Sequence, residues 1–141
     1  MNYINAQKEI LTEYLKEKKA VFGRVGDKVF YGTPFKIYVT PANKVGIDFK
    51  NVQPIAENTL KSFTDDRNLT DTYLTPEMVS DDKRILRVFE NEKGKIYVDE
   101  KLLKNFNLSK STFKGSEPNK PIFIYENEMM VGFVFPVRYK I

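Results

Sequence analysis

The chain has 141 residues, 41% hydrophobic and 13% aromatic, which is enough for one ordinary domain with its own core and too rich in core-forming side chains for a disordered segment. It contains no cysteine and no histidine, which excludes disulfides, thiolate zinc sites, iron–sulfur clusters and a cysteine nucleophile, and removes the commonest general base and metal ligand. The net charge of +4 is unevenly spread: residues 1–50 carry nine basic and five acidic side chains, 51–82 two and seven, and 83–141 twelve and seven. Mixed-sign surfaces of this kind are ordinarily solvated faces, with contact to nucleic acid or an acidic partner as the alternative. There is no apolar signal region at the N-terminus and no apolar run near the roughly 18–20 residues of a membrane span, so the expectation is a cytoplasmic protein without membrane contact.

In chain order, Asn2 to Ile4 reads as a short strand and residues 5–19 as a helix. Asn5 is its N-cap, and Ile10, Leu11, Tyr14 and Leu15 form its apolar stripe. Glycines 23, 26 and 32 punctuate strand-like sequence from Val21 to Tyr31, and Gly23-Arg24-Val25-Gly26 reads as a turn, lacking the spacing of a phosphate loop. Phe35, Ile37 and Val39 then alternate with Lys36, Tyr38 and Thr40 as in a half-buried strand. Pro41 to Lys44 turns into a further strand over Val45 to Phe49.

Residues 51–83 read as a connection or insertion. Pro54 opens a short helix carrying Ile55, Ala56, Leu60 and Phe63, Thr64 to Asp82 is the least regular stretch, and Thr75-Pro76-Glu77 resembles a brief helix start. Beyond it, Arg84 to Glu90 and Lys95 to Val98 form a hairpin turned by Asn91-Glu92-Lys93-Gly94. Asp99 caps a short helix with Leu102, Leu103 and Phe106. Strand-like runs at Ser111 to Lys114, Pro121 to Tyr125 and Met130 to Tyr139 follow, with Glu126-Asn127-Glu128 turning between the last two. The expected fold is α+β in one domain, with halves at about 1–50 and 84–141 that share a β-α-β-β-β order. Lys-Ile-Tyr-Val occurs at 36–39 and again at 95–98, at different places in the two halves.

From Lys95 onward, Ile96-Tyr97-Val98, Leu102 to Phe106, Phe113-Lys114-Gly115-Ser116, Pro121 to Ile124 and the ending Val134-Phe135-Pro136-Val137-Arg138-Tyr139 resemble the C-terminal region of the bacterial DNA sliding clamp. The resemblance covers about a third of the chain. This sequence departs from that family in having room for one clamp-type domain rather than three, and in its acidic 51–82 segment. The resemblance implies a binding protein without chemistry of its own, which takes DNA or the peptide tails of replication proteins and encircles a duplex only by self-association. It also implies a peptide pocket at Phe133, Phe135, Pro136, Val137 and Arg138, whose apolar side chains would accept leucine or phenylalanine anchors beside a basic rim. The alternative reading of Phe133, Phe135 and Val137 is one inward-packing face of an edge strand.

A second candidate surface is acidic: Asp65, Asp66, Asp71, Asp81 and Asp82 would mimic nucleic-acid phosphates on a phage or mobile-element inhibitor that blocks a host defence nuclease by protein contact. These aspartates lack the register of a calcium loop, and loop aspartates ordinarily form turns and caps, so neither a metal nor a cofactor is expected. Tyr31, Tyr38 and Tyr97, on the polar phase of strands, would serve as stacking platforms for single-stranded nucleic acid or as cross-strand packing pairs. No pair of carboxylates is singled out by spacing for hydrolysis.

Overall fold

The computed structural model describes every residue except Lys18, Lys50, Asp66, Lys140 and Ile141. It is an α+β domain built on one ten-stranded sheet and two helices. Helix α1 spans Tyr3–Glu17, and the strands are β1 (Val21–Val25), β2 (Lys28–Thr33), β3 (Lys36–Pro41), β4 (Gln53–Pro54), β5 (Thr70–Asp81), β6 (Arg84–Asn91), β7 (Gly94–Asp99), β8 (Ser111–Gly115), β9 (Ile122–Glu126) and β10 (Met129–Val134). Helix α2 (Glu57–Ser62) lies between β4 and β5. The strand order is β4-β1-β2-β3-β10-β9-β8-β5-β6-β7.

Two antiparallel meanders, β1–β2–β3 and β8–β9–β10, meet along a central seam where β3 and β10 pair antiparallel and Ile37 faces Phe133. The first meander follows α1. No strand precedes that helix: residues 3 and 4, expected in a strand, already belong to its first turn, where Asn2 Oδ1 accepts the Asn5 N–H at 3.0 Å. Asn2 therefore does the capping expected of Asn5. The second meander follows two 3₁₀ turns, Glu100–Leu103 and Leu108–Lys110, in place of a helix, and the Asp99 carboxylate accepts the Lys101 N–H at 3.0 Å as the sequence suggests.

Sheet positions with both faces covered alternate between two cores. On the α1 side, Tyr31, Tyr38, Val131 and Val134 pack with Ala6 and Ile10 of the helix and with Leu103 and Phe106. On the other side, Phe30, Ile37, Val39, Phe123 and Phe133 pack under Leu60 and Phe63 of the α2 region. Lys36 to Thr40 are therefore all buried, which corrects the half-buried strand read from their alternation. The helix is also rotated from its expected stripe: Ala6, Gln7 and Ile10 are buried, and Leu15 is 70% exposed. Gln7 is tolerated inside because its amide donates to the carbonyls of Tyr3 and Lys44, both at 3.0 Å, and accepts the Gly46 N–H at 2.8 Å. Gly132 is required at the seam. A Cβ there would lie 2.7 Å from the Phe106 ring and 2.6 Å from the Ile37 carbonyl oxygen.

Residues 51–83 differ most from expectation. Pro54 sits in β4 rather than opening a helix, and Val45 to Phe49 is irregular chain that nevertheless buries Phe49. The stretch expected to be irregular is instead the longest strand, β5. Its first three residues pair with β8 and the remainder with β6. Ladder pairing before and after it overrides the local helix-start signal at Thr75-Pro76-Glu77. Pro76 falls in the register shift between Leu74 and Met78, where its missing N–H breaks no regular ladder position.

Candidate functional site

β10 ends at Val134, four residues before the expected limit of the pocket, because Pro136 cannot donate into a ladder. The tail that follows is held at two points. Phe135 N–H donates to the Phe35 carbonyl at 2.9 Å, and Val137 N–H donates to the Tyr97 carbonyl at 2.8 Å. The second bond carries the chain from the centre of the sheet to its far edge at β7, so the run β10–β9–β8–β5–β6–β7 curls back on itself.

This crossing separates the five residues of the expected peptide pocket. Phe133 is fully buried on a central strand, 5.0 Å from the Phe123 ring and 4.5 Å from the Phe63 ring, and is core rather than groove. Phe135 is half-buried and meets Phe133 edge-on at 6.0 Å. Pro136, Val137 and Arg138 do come together, lining an open groove of about 480 Å³ with Tyr139, with Lys95 and Tyr97 of β7, and with Pro118 and Asn119 of the β8–β9 connection.

The groove walls are aromatic and cyclic. Tyr97 and Tyr139 lie 4.8 Å apart with ring planes tilted by 49°, and Pro118 reaches over the positive-φ Gly94 of the β6–β7 hairpin. Among the described residues no carboxylate lines it. Lys95 Nζ is 3.2 Å from Glu77 Oε2, and this contact holds the ammonium above its ordinary pKa, whereas Arg138 is exposed and makes no ion pair among the described residues. Tyr97 was singled out in the sequence as a surface aromatic. Pro118 and Asn119 carry no local pattern that links them to it, because the connection that holds them is placed by tertiary structure.

The acidic residues lie on several elements. Asp71 is near the start of β5 and Asp81 at its end, a separation of up to about 30 Å at roughly 3.3 Å per residue. Each cluster has local work. Arg67 forks onto Asp65, with Nε 2.9 Å from Oδ1 and Nη2 2.7 Å from Oδ2, which pulls the Asp65 carboxyl down to about 2. Arg84 pairs with Asp81 at 2.5 Å, and Asp82 takes φ +52° in the β5–β6 turn. Asp71 is exposed, and Asp66 lies outside the described residues. No group of three or more Asp or Glu side chains among the described residues is placed to hold a metal ion.

A buried polar network that no local sequence motif announces lies beneath α1. Lys36, 2% exposed, points onto the helix face and meets Glu9 Oε2 at 2.5 Å. Asn105 Nδ2 donates to Glu9 Oε1 at 2.9 Å, and the Tyr38 hydroxyl has that same oxygen at 2.8 Å and the Lys104 carbonyl at 2.9 Å as acceptors for its one proton. Burial lowers the Lys36 pKa, with Glu9 opposing the shift; burial, aided by the Glu9 charge, pushes the Tyr38 hydroxyl far up. Tyr31, hydrogen-bonded to Thr40 at 2.7 Å, is raised to about 12 by burial. Tyr31 and Tyr38 are thus fully interior and face each other across β2 and β3 with rings 5.8 Å apart, which is the cross-strand packing reading and leaves no ring for nucleobase stacking at either. A lysine on the phase that α1 covers was the available sign of such a network.

On the opposite face α2 leaves part of the sheet open, and Phe30, Phe63, Leu69, Phe123, Tyr125 and Met130 line an apolar cleft of about 360 Å³. Among the described residues no helix is long and apolar enough to cross a membrane. No family model, curated protein or solved structure matches the chain.

Proposed function

We propose that this chain is a non-enzymatic binding protein that captures a short segment of a protein partner in the groove between β7 and the tail. The observation that carries the reading is the convergence of Pro136, Val137 and Arg138 with Tyr97 and Tyr139 around one open space, its backbone pinned by the Val137–Tyr97 bond. Half-exposed tyrosines give large contact area at small entropic cost, and a basic rim adds orientation. The sliding-clamp resemblance supports the same end of the molecule, because that family receives peptide tails beside its closing segment. It makes a replication or repair protein the first partner to test, with duplex DNA as the other ligand. The acidic-mimic inhibitor is the second reading, with its charges spread along the chain and Asp71 and Asp81 near the two ends of β5.

An amide-resolved NMR titration tests the proposal, using a panel of short peptides that includes leucine/phenylalanine-anchored clamp-binding motifs, and a DNA duplex in parallel. Saturable shifts at Lys95, Tyr97, Val137 and Arg138 with a peptide are expected. Silence at all four amides across the panel, or shifts there with duplex DNA alone, overturns peptide capture. Light scattering on the same sample reports whether the chain self-associates, as a clamp-like ring requires.

A further inference from the structure

We infer that the segment taken by this groove is a proline-rich stretch in the polyproline II conformation with an acidic flank, an assignment that rests on the peptide-capture reading above. Two ways of holding an extended peptide compete: pairing it onto a strand edge, or docking it on aromatic and proline rings. Edge pairing requires free backbone groups along β7. The carbonyl of Tyr97 is already taken by the Val137 N–H, and Pro118 and Pro136 have no N–H to offer. An incoming strand would have to displace the protein's own tail at that position.

A polyproline II segment makes no such demand. Its backbone is solvated and carries no internal hydrogen bonds, it is ordered before binding, and its flat pyrrolidine faces pack on rings. The groove supplies those surfaces. Tyr97 and Tyr139 sit 4.8 Å apart and tilted, so together they form a ridge, and Pro118 and Pro136 stand among the other lining residues. The charges fix the flank. Among the described residues Arg138 is exposed and unpaired, Lys95 shares its ammonium with Glu77, and no carboxylate lines the groove to repel an acidic segment.

The test compares two synthetic peptides of equal length sharing a glutamate-rich end, one with a proline-rich body and one with a leucine/phenylalanine body, each titrated against the labelled full chain. Preferential saturable binding of the proline-rich peptide at Tyr97, Val137 and Arg138 is expected. Tyr139→Ala should weaken it at least about tenfold, as for truncation of a central aromatic contact. Pro118→Ala, on a surface turn, gives a second reading at the opposite wall should Tyr139→Ala disturb the tail. Arg138→Glu should weaken binding most at low salt, because screening shortens the reach of a rim charge. Binding of the leucine/phenylalanine peptide alone at these amides overturns the polyproline assignment and leaves peptide capture standing. If neither peptide shifts them, both readings fall.

Discussion

The two meanders that meet at the β3/β10 seam have the same up-and-down order and are finished in opposite ways. β1–β3 is sealed by a fifteen-residue helix locked down through Glu9, Lys36 and Tyr38. β8–β10 is preceded only by 3₁₀ turns, and its chain runs on into a tail that crosses to β7 and leaves a groove beside it. A polar network under a helix closes one half. An extended tail fixed by single backbone bonds leaves the other half open. The groove falls where the fold lacks a helix to cover it.

Three measurements sharpen or break this contrast. The largest effect belongs to the seam that both meanders share: Phe133→Ala should cost about 4 kcal/mol in chemical denaturation, because a fully buried ring packed against Phe63 and Phe123 leaves a cavity. A loss below about 1 kcal/mol would place Phe133 in an accessible pocket instead, and the distinction between core and groove would fail. Next, Glu9→Ala leaves Lys36 buried without its counter-charge and should destabilise by about 3 kcal/mol, whereas Glu9→Leu with Lys36→Met should recover most of that loss. Equal damage from the single and the double variant would mean that the network does more than neutralise a buried charge.

The third effect is confined to high pH. Tyr31 is raised from 10.0 to about 12, and Tyr38 is raised further, so both give stability that is complete below pH 10 and lost as pH climbs through their folded values. Lys36 is lowered, so in the window between its folded pKa and 10.5 it adds stability as pH rises, the opposite sign. Above pH 10 the two tyrosines outweigh one lysine. Melting temperature should fall steeply there, and the fall should flatten in Tyr31→Phe with Tyr38→Phe. An unchanged slope would show that these hydroxyls do not govern the helix-covered half.

Where period and turn chemistry agreed, the sequence was legible. The hairpin at Asn91–Gly94 and the turn at Asn127-Glu128, whose φ values are +51° and +65°, follow from local residue types, and so do the Asp99 cap and the α+β class. β5 was not legible. Its alternation is interrupted by Pro76 and filled with Thr, Asp and Glu, and only pairing with β8 and β6 makes it a strand. The candidate site was half legible. Pro136, Val137 and Arg138 line the groove; the clamp resemblance puts Phe133 there too, whereas its two-residue period reads as inward packing, which is where the ring lies, and no period reveals that the chain leaves the sheet after Val134. Tyr31 and Tyr38 looked like surface aromatics because the covering helix lies in another part of the sequence.

The seam has a further consequence for how the domain is assembled. Ile37 and Phe133 come together across about a hundred residues of intervening chain, so closing the centre of the sheet carries a large loop-closure cost and is a slow, late event. Until it occurs, β3 and β10 each expose an unpaired apolar edge, the kind of surface that draws strands from neighbouring chains. A truncation before β10 would therefore give a sticky half-sheet rather than a smaller folded protein.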